Sequence, residues 1–285
     1  MAVHRLLHNR RMRLVTVNVN GIRAAARRGM VQWLAQARPD VLTLQEVRAD
    51  DVELGKVLAD AGLAHWSVAH TEGAAKGRAG VAVVSRDPHT AVRVGIDGEF
   101  ADDGRWVEAD LATDAGPLTV VSAYVHTGEA DTDRQVVKYA FLDAMTRRLD
   151  RGAADGAAMV VTGDLNIAHR EADLKNWKGN LKKSGFLPDE RAYLDRWFEA
   201  DAWVDVQRRH AGDVAGPYSW WSWRGKAFDN DAGWRIDYQI ASRRLAATAR
   251  DAYVDRAPTY AARWSDHAPV VVDYDLTALE AHARD

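Results

Sequence analysis

The strongest constraint on this chain is a series of short apolar runs, none longer than a strand, that recur from one end to the other. They fall at 14–19, 41–44, 80–84, 118–125, 159–161, 236–241 and 270–272, and polar or turn-forming residues bound each of them. Crossing a bilayer takes about 20 consecutive apolar residues, so these runs read as buried strands and no membrane partner is expected. Between the first two, Met30, Trp33, Leu34 and Ala37 follow the i, i+3, i+4, i+7 spacing of a helix, and Pro39 closes it. A second helix is predicted over 134–148, with Val137, Phe141, Ala144 and Met145 as its buried stripe and a charged outer face. Strands separated by helices make an α/β protein.

With 285 residues and 47% hydrophobic content, the chain can bury a sizeable core. Clusters of Gly, Asp and Ala at 73–77, 98–104 and 152–156 are short enough to be turns. Neither a repeat nor a linker divides the chain, so one domain is expected over 13–276, with tails at 1–12 and 277–285. Met12 is a candidate start, because the first apolar run follows it directly. The basic stretch 1–13 lacks the apolar core of a signal peptide, which makes a cytoplasmic location the expectation. Cysteine is absent, which excludes disulfides, thiolate metal sites and a cysteine nucleophile together. The formal net charge is -3, so any affinity for nucleic acid must come from a local patch.

Oxygen-bearing side chains stand where the apolar runs stop. The two-residue period of a strand puts Asn18 and Asn20 on one face, and lines up Leu42, Leu44 and Glu46 with the carboxylate last. Asp164 and Asn166 share a face if the chain stays extended past 159–161, and Asp266 and His267 precede the run at 270–272. Taken singly, Asp and Asn at such places more often form turns or helix caps. Their ordered recurrence points to a cation site, and hard oxygen ligands suit magnesium better than zinc. Such a site fits hydrolysis of a phosphate ester, where a cation offsets charge building on the phosphoryl oxygens. His267 is a candidate base for water, and Asp237 is its candidate partner.

The segments VNVNGIRA, PDVLTLQEV, GVAVVSR, VVSAYVHTGE, VVTGDLNIAH, FLPDERAYLDRW, GWRIDYQIAS and SDHAPVVVDY run from Arg13 to about Leu276. In this set the sequence resembles the exonuclease III family of abasic-site endonucleases, within the endonuclease/exonuclease/phosphatase superfamily. The resemblance implies a single-domain, four-layered αββα sandwich. It implies a magnesium-dependent enzyme, with manganese as an alternative ion, that cuts duplex DNA 5′ to abasic sites and removes nucleotides or blocking groups from 3′ ends. Glu46 would be the principal metal ligand, with Asn18, Asn20 and Asp266 nearby. Asp164 would move a proton, Asn166 would hold the water or phosphate, and both lie close enough to join the metal shell. His267, paired with Asp237, would contact a phosphoryl oxygen or act as the base, and Tyr124 would hydrogen-bond the scissile phosphate.

The same resemblance implies that Arg23, Arg48, Asn176, Lys178 and Asn180 face DNA, where phosphate contacts give affinity rather than sequence choice. Trp220, Trp234 and Ile236 would wall an apolar pocket for a flipped-out abasic sugar, whereas most of the other aromatics between Tyr218 and Trp234 read as core. Two departures stand out. His126 occupies a position where many relatives carry proline, and Asn20 one where some carry aspartate. A monomer is expected. The competing expectations are a superfamily enzyme acting on a phosphoinositide or sphingolipid headgroup, and a catalytically dead DNA-binding homologue.

Overall fold

Twelve strands form two six-stranded sheets in the computed structural model, which describes residues 11–75, 77–114, 116–199, 202–277 and 279. The strands are β1 (Arg11–Asn18), β2 (Val41–Gln45), β3 (Ser67–Thr71), β4 (Val81–Ser85), β5 (His89–Val94) and β6 (Trp106–Thr113). They continue with β7 (Gly116–Tyr124), β8 (Ala158–Asp164), β9 (Trp203–Asp205), β10 (Asp237–Ser242), β11 (Ala249–Val254) and β12 (Val270–Asp275). The helices are α1 (Ile22–Ala25), α2 (Val31–Ala37), α3 (Asp51–Asp60), α4 (Asp133–Ala154), α5 (Pro188–Glu199), α6 (Val206–Ala211) and α7 (Arg243–Ala246).

The first sheet runs β11-β12-β1-β2-β4-β3 and the second β5-β6-β7-β8-β10-β9. Parallel neighbours occur once in each, β1 with β2 and β7 with β8. A parallel pair needs a crossover, and α1 with α2 supplies one while α4 supplies the other. Leu14, Val83, Val107, Val120 and Val160 pack between the sheets. Met30, Leu34, Leu54 and Leu58 cover the outer face of the first, and Phe141, Met145, Leu194 and Trp197 that of the second. The layers are therefore helix, sheet, sheet, helix.

Toward one end of the sandwich the filling between the sheets turns polar. Thr43 and Thr162 meet through their hydroxyls at 2.6 Å, and Gln45 Nε2 donates to Ser122 Oγ at 2.9 Å. All four are fully buried. A buried polar group without a partner is costly, so these pairs hold the register of one sheet against the other just below the strand ends where the candidate site residues stand.

Several expectations change. β1 starts at Arg11, which pairs with Asp275, and Met12 is completely buried, so the domain begins before 13; residues 1–10 lie outside the described ones. At the other end Leu279 is buried in the inter-sheet core, which takes it out of the expected tail. α4 runs past the predicted end at 148 to Ala154, and Gly152 lies inside it. A side chain at Gly152 would crowd Trp203 and Met159. Val137 is 43% exposed, and Lys138 takes the inward place in the stripe. Strands β3, β5 and β11 were missed because they lie at sheet edges and carry mostly half-exposed or exposed residues. The internal strand β6 was hidden by Glu108 and Asp110, whose charges are met by Arg93 and Arg148.

Candidate active site

The strand ends do not stay extended. Asn20, Glu46 and Asn166 have φ of 48°, 50° and 50°, the left-handed region that non-glycine residues seldom enter. Side-chain to backbone bonds hold two of these turns. Asn18 Oδ1 accepts from the Asn20 amide at 3.0 Å, and Asp164 Oδ1 from the Asn166 amide at 2.9 Å, the short-range pattern by which Asx side chains build turns. The expected pairs on one strand face are thus turns, and the chain bends its polar groups inward over the polar filling.

Asn18 is held at both ends of its side-chain amide. Its amide oxygen is taken by the backbone, while its amide nitrogen donates to Glu46 Oε1 and to Asp164 Oδ2, both at 2.9 Å. It joins the two carboxylates. Asn20 likewise donates, to Asp266 Oδ1 at 2.8 Å. Glu46, Asp164 and Asp266 are the hard, anionic oxygen donors of the cluster, and a divalent cation fits that chemistry. Asp164, Asp237 and His267 also bring their ligand atoms within 4.8 Å of one another, but Asp237 is already committed on two sides. His267 Nδ1 lies 2.9 Å from Asp237 Oδ2, and Ser219 Oγ donates to the same oxygen at 2.6 Å. The second ring nitrogen of His267 faces Asp164 at 3.7 Å.

Burial and charge set the protonation states. Burial pushes the Asp164 carboxyl up to about 7, with Asp237 adding to the rise and His267 opposing it. Burial alone would lower His267, yet the carboxylates of Asp237 and Asp164 raise it to about 10. The neighbouring carboxylates thus favour the charged imidazole, while burial disfavours the charged form of Asp164. Tyr124, the last residue of β7, pairs in register with Asp164. Burial, then the charges of Glu46 and Asp164, raise its phenol far above the usual range, which keeps it a hydrogen-bond donor. Arg105 lies over its ring at 4.4 Å.

The aromatic residues adjoin this cluster. Trp220 packs edge-on to Trp234 at 6.3 Å, and its Nε1 donates to Asp266 Oδ2 at 3.2 Å. Ile236 is buried with Ala168, Leu174 and Phe186, against which both tryptophans pack. The turn carrying Asn176, Lys178 and Asn180 lies beside this wall, because the Lys175 amide donates to the Gly233 carbonyl at 3.1 Å. Asn176 and Lys178 are exposed. Arg23 pairs with Glu53 at 2.6 Å, and Arg48 turns back to the Glu46 carboxylate, so both cations have an acidic partner. His126 packs edge-on to Phe141 at 5.4 Å, and burial pushes it down to about 4.

Sequence reasoning missed Ser219, Arg105 and the buried cluster of Asp173, Arg208 and Arg235. Arg235 Nε donates to Asp173 Oδ1 at 2.7 Å, and Arg235 Nη2 lies 2.7 Å from Asp205. Its place between Trp234 and Ile236 was the available signal, since a charge between two apolar residues there needs a buried acidic partner.

A two-sheet sandwich with a carboxylate cluster and an aspartate-held histidine at one end defines the class of the endonuclease, exonuclease and phosphatase enzymes. The family model described as "Endonuclease/Exonuclease/phosphatase family" matches residues 15–267, and the chain belongs to that family. Over 91% of its length the chain is 32% identical to the exodeoxyribonuclease of Bacillus subtilis, 98% of which is covered. It is 30% identical to the DNA repair nuclease APEX1 of Danio rerio, over 92% of this chain and 81% of that one. Among solved structures, an AP endonuclease from Archaeoglobus fulgidus superposes with a TM-score of 0.82 at 28% identity, covering 93% of this chain and 99% of that one.

Proposed function

We propose that this protein is a DNA repair nuclease that hydrolyses phosphodiester bonds with the help of magnesium, for which manganese can substitute. Its substrates are duplex DNA with abasic sites, cut on the 5′ side, and 3′ ends from which it removes nucleotides or blocking groups. The observation that carries the proposal is the bridging of Glu46 and Asp164 by Asn18 beside the Asp237–His267 pair, with the aromatic wall joined to the same cluster through Trp220 and Asp266. The names of the relatives support DNA as substrate, and a further similar structure, a 3′ phosphatase from Neisseria, is described as bound to a product DNA hairpin.

Glu46 and Asp266 would hold the magnesium ion, with Asp164 and Asn166 at the edge of its shell and Asn18 and Asn20 fixing the carboxylates. When bound, the ion supplies positive charge against the phosphoryl oxygens and the leaving oxygen. The remaining work falls to the chain. Asp164, raised toward neutrality, accepts the proton of the attacking water or returns one to the leaving oxygen, the range in which proton transfer is most effective. His267, a cation held by Asp237, donates to a phosphoryl oxygen. Tyr124 donates a hydrogen bond to the scissile phosphate, and Asn166 orients the water. The products are a 3′-hydroxyl and a 5′-phosphate.

Trp220, Trp234 and Ile236 receive an abasic sugar, since a nucleotide without its base leaves an apolar space and costs little to unstack. Arg23, Arg48, Asn176, Lys178 and Asn180 meet the DNA backbone around it. Action as a monomer and a cytoplasmic location belong to the same proposal. The test uses two labelled duplexes, one with a central abasic analogue and one with a recessed 3′ end, each with magnesium and then with chelator. Cleavage of both that stops on chelation is expected, and a protein that cuts neither refutes the proposal.

A further inference from the structure

Lys138 and Glu190 are both completely buried, and Lys138 Nζ lies 2.6 Å from Glu190 Oε1. A buried ion pair is weak evidence for stability, because desolvation offsets most of the attraction, so its other contacts matter more. Lys138 Nζ donates to the Asn166 carbonyl at 2.9 Å and to the Thr127 carbonyl at 3.2 Å. Glu190 Oε2 accepts from the Gly185 amide at 2.6 Å and the Leu187 amide at 3.0 Å. Ser184 Oγ closes the set, with Thr127 O at 2.7 Å and Glu190 Oε1 at 2.9 Å. One charge pair between α4 and α5 therefore gathers three loops: that after Tyr124, that after Asp164, and the segment around Gly185.

Two glycines make this gathering sterically feasible. A Cβ at Gly128, whose φ is 73°, would come within 2.9 Å of Lys138 Cδ and 2.5 Å of Ser184 Oγ. One at Gly185, φ 92°, would lie 3.0 Å from the Trp234 ring and 3.3 Å from the Asn166 carbonyl. The pair thus sets the spacing among Asn166, the strand end at Tyr124 and the aromatic wall at Trp234. Asn166 is the sensitive member. Its left-handed turn is held by Asp164 on one side, and by its side-chain Nδ2 donating to the Val125 carbonyl at 2.9 Å on the other.

We propose that Lys138 is a positioning residue for the reaction: it never touches substrate, but through the Asn166 and Thr127 carbonyls it holds the Asp164–Asn166 turn at the distance from Tyr124 that hydrolysis requires. The proposal rests on the assignment of Asp164 and Asn166 to catalysis. Misplacement by about 1 Å can cost on the order of 100-fold in rate. Lys138→Met, which keeps the length of the side chain and removes its charge and donors, is therefore expected to lower kcat by about 10- to 100-fold with KM within about twofold.

Lys138→Arg, which restores a charged donor, is expected to recover most of that loss. A Lys138→Met protein that unfolds cooperatively and turns over at the wild-type kcat overturns the proposal, as does one in which only KM rises. If that variant does not fold, the isosteric Glu190→Gln carries the test: reduced kcat at unchanged KM supports the proposal, and wild-type kcat refutes it. Asp164→Asn runs alongside. If it stays active, the catalytic assignment has failed, whereas an inactive Asp164→Asn beside a fully active Lys138→Met removes the positioning role alone.

Discussion

Asn18 Nδ2 lies 2.9 Å from Asp164 Oδ2, a bond that crosses from the last residue of β1 in one sheet to the last residue of β8 in the other. The same nitrogen reaches Glu46, so a single neutral side chain ties together the two carboxylates on which the proposed chemistry depends. Asn18→Ala should leave both buried carboxylates short of a donor. We expect kcat to fall by about 10- to 100-fold and stability by about 1–3 kcal/mol, read by steady-state kinetics and denaturant melts. Wild-type turnover in this variant would show that the bridge is dispensable.

Glu46 supplies the carboxylate of this group that no histidine holds. Glu46→Gln keeps its shape and its contact with Asn18 while removing the charge. The magnesium concentration for half-maximal cleavage should rise by about tenfold or more, as expected when a hard cation loses one of its few anionic ligands. A magnesium titration of cleavage rate checks this, and an unchanged curve would move the ion elsewhere in the cluster.

Ser219 fixes Asp237, which holds the His267 ring from behind. His267→Ala should lower turnover by on the order of 100-fold with little change in DNA affinity. In Asp237→Asn the ring loses the largest of the three carboxylate charges, those of Asp237, Asp164 and Asp266, that raise it, so its pKa should drop. Titration of the imidazole by nuclear magnetic resonance reads the shift directly, and a value that stays put would mean Asp164 and Asp266 sustain the cation without Asp237.

Trp234 stands between Trp220 and Gly185, three residues before β10 begins. Trp234→Ala should reduce incision at abasic sites more than removal of nucleotides from a recessed 3′ end, because only the first requires a walled sugar pocket. Comparing the two rates on matched duplexes decides it; equal losses would assign the ring to folding.

Asp173 gives a dependence on pH that is independent of catalysis. Burial alone would raise its carboxyl, but the guanidiniums of Arg235 and Arg208 hold it well below the usual carboxylate range. Its stabilisation is therefore complete above the unfolded carboxylate value of about 4 and is lost as pH falls through the folded value. Asp173→Asn should cost about 3–5 kcal/mol at neutral pH, since it leaves buried cations short of a partner. The gap from wild type should narrow as the medium becomes acid, which melts at neutral and acid pH would reveal.

The residues of the candidate site were legible because strands alternate and end. Glu46, Asp164, Asp237 and His267 stand at the limits of apolar runs, and the buried runs recovered seven of the strands. Edge strands β3, β5 and β11 gave no such signal, since nearly all their residues are exposed or half-exposed. Val137 was read as buried because apolar residues usually are, yet Lys138 turns inward in its place. No local pattern could reveal that, as the reward for burying its charge lies in Glu190, Asn166 and Thr127, each far away along the chain.

By itself, then, the sequence determined the alternation of strands and helices and the set of polar groups at their ends, because periodicity and residue chemistry are local properties. The tertiary structure alone decided which of those groups touch. Asn18 became a donor between carboxylates because β1 and β8 meet across the sheets. Asn20 and Asn166 became turn residues because the chain must bend to bring four strand ends together, and such contacts depend on the register of distant segments rather than on any spacing along the chain.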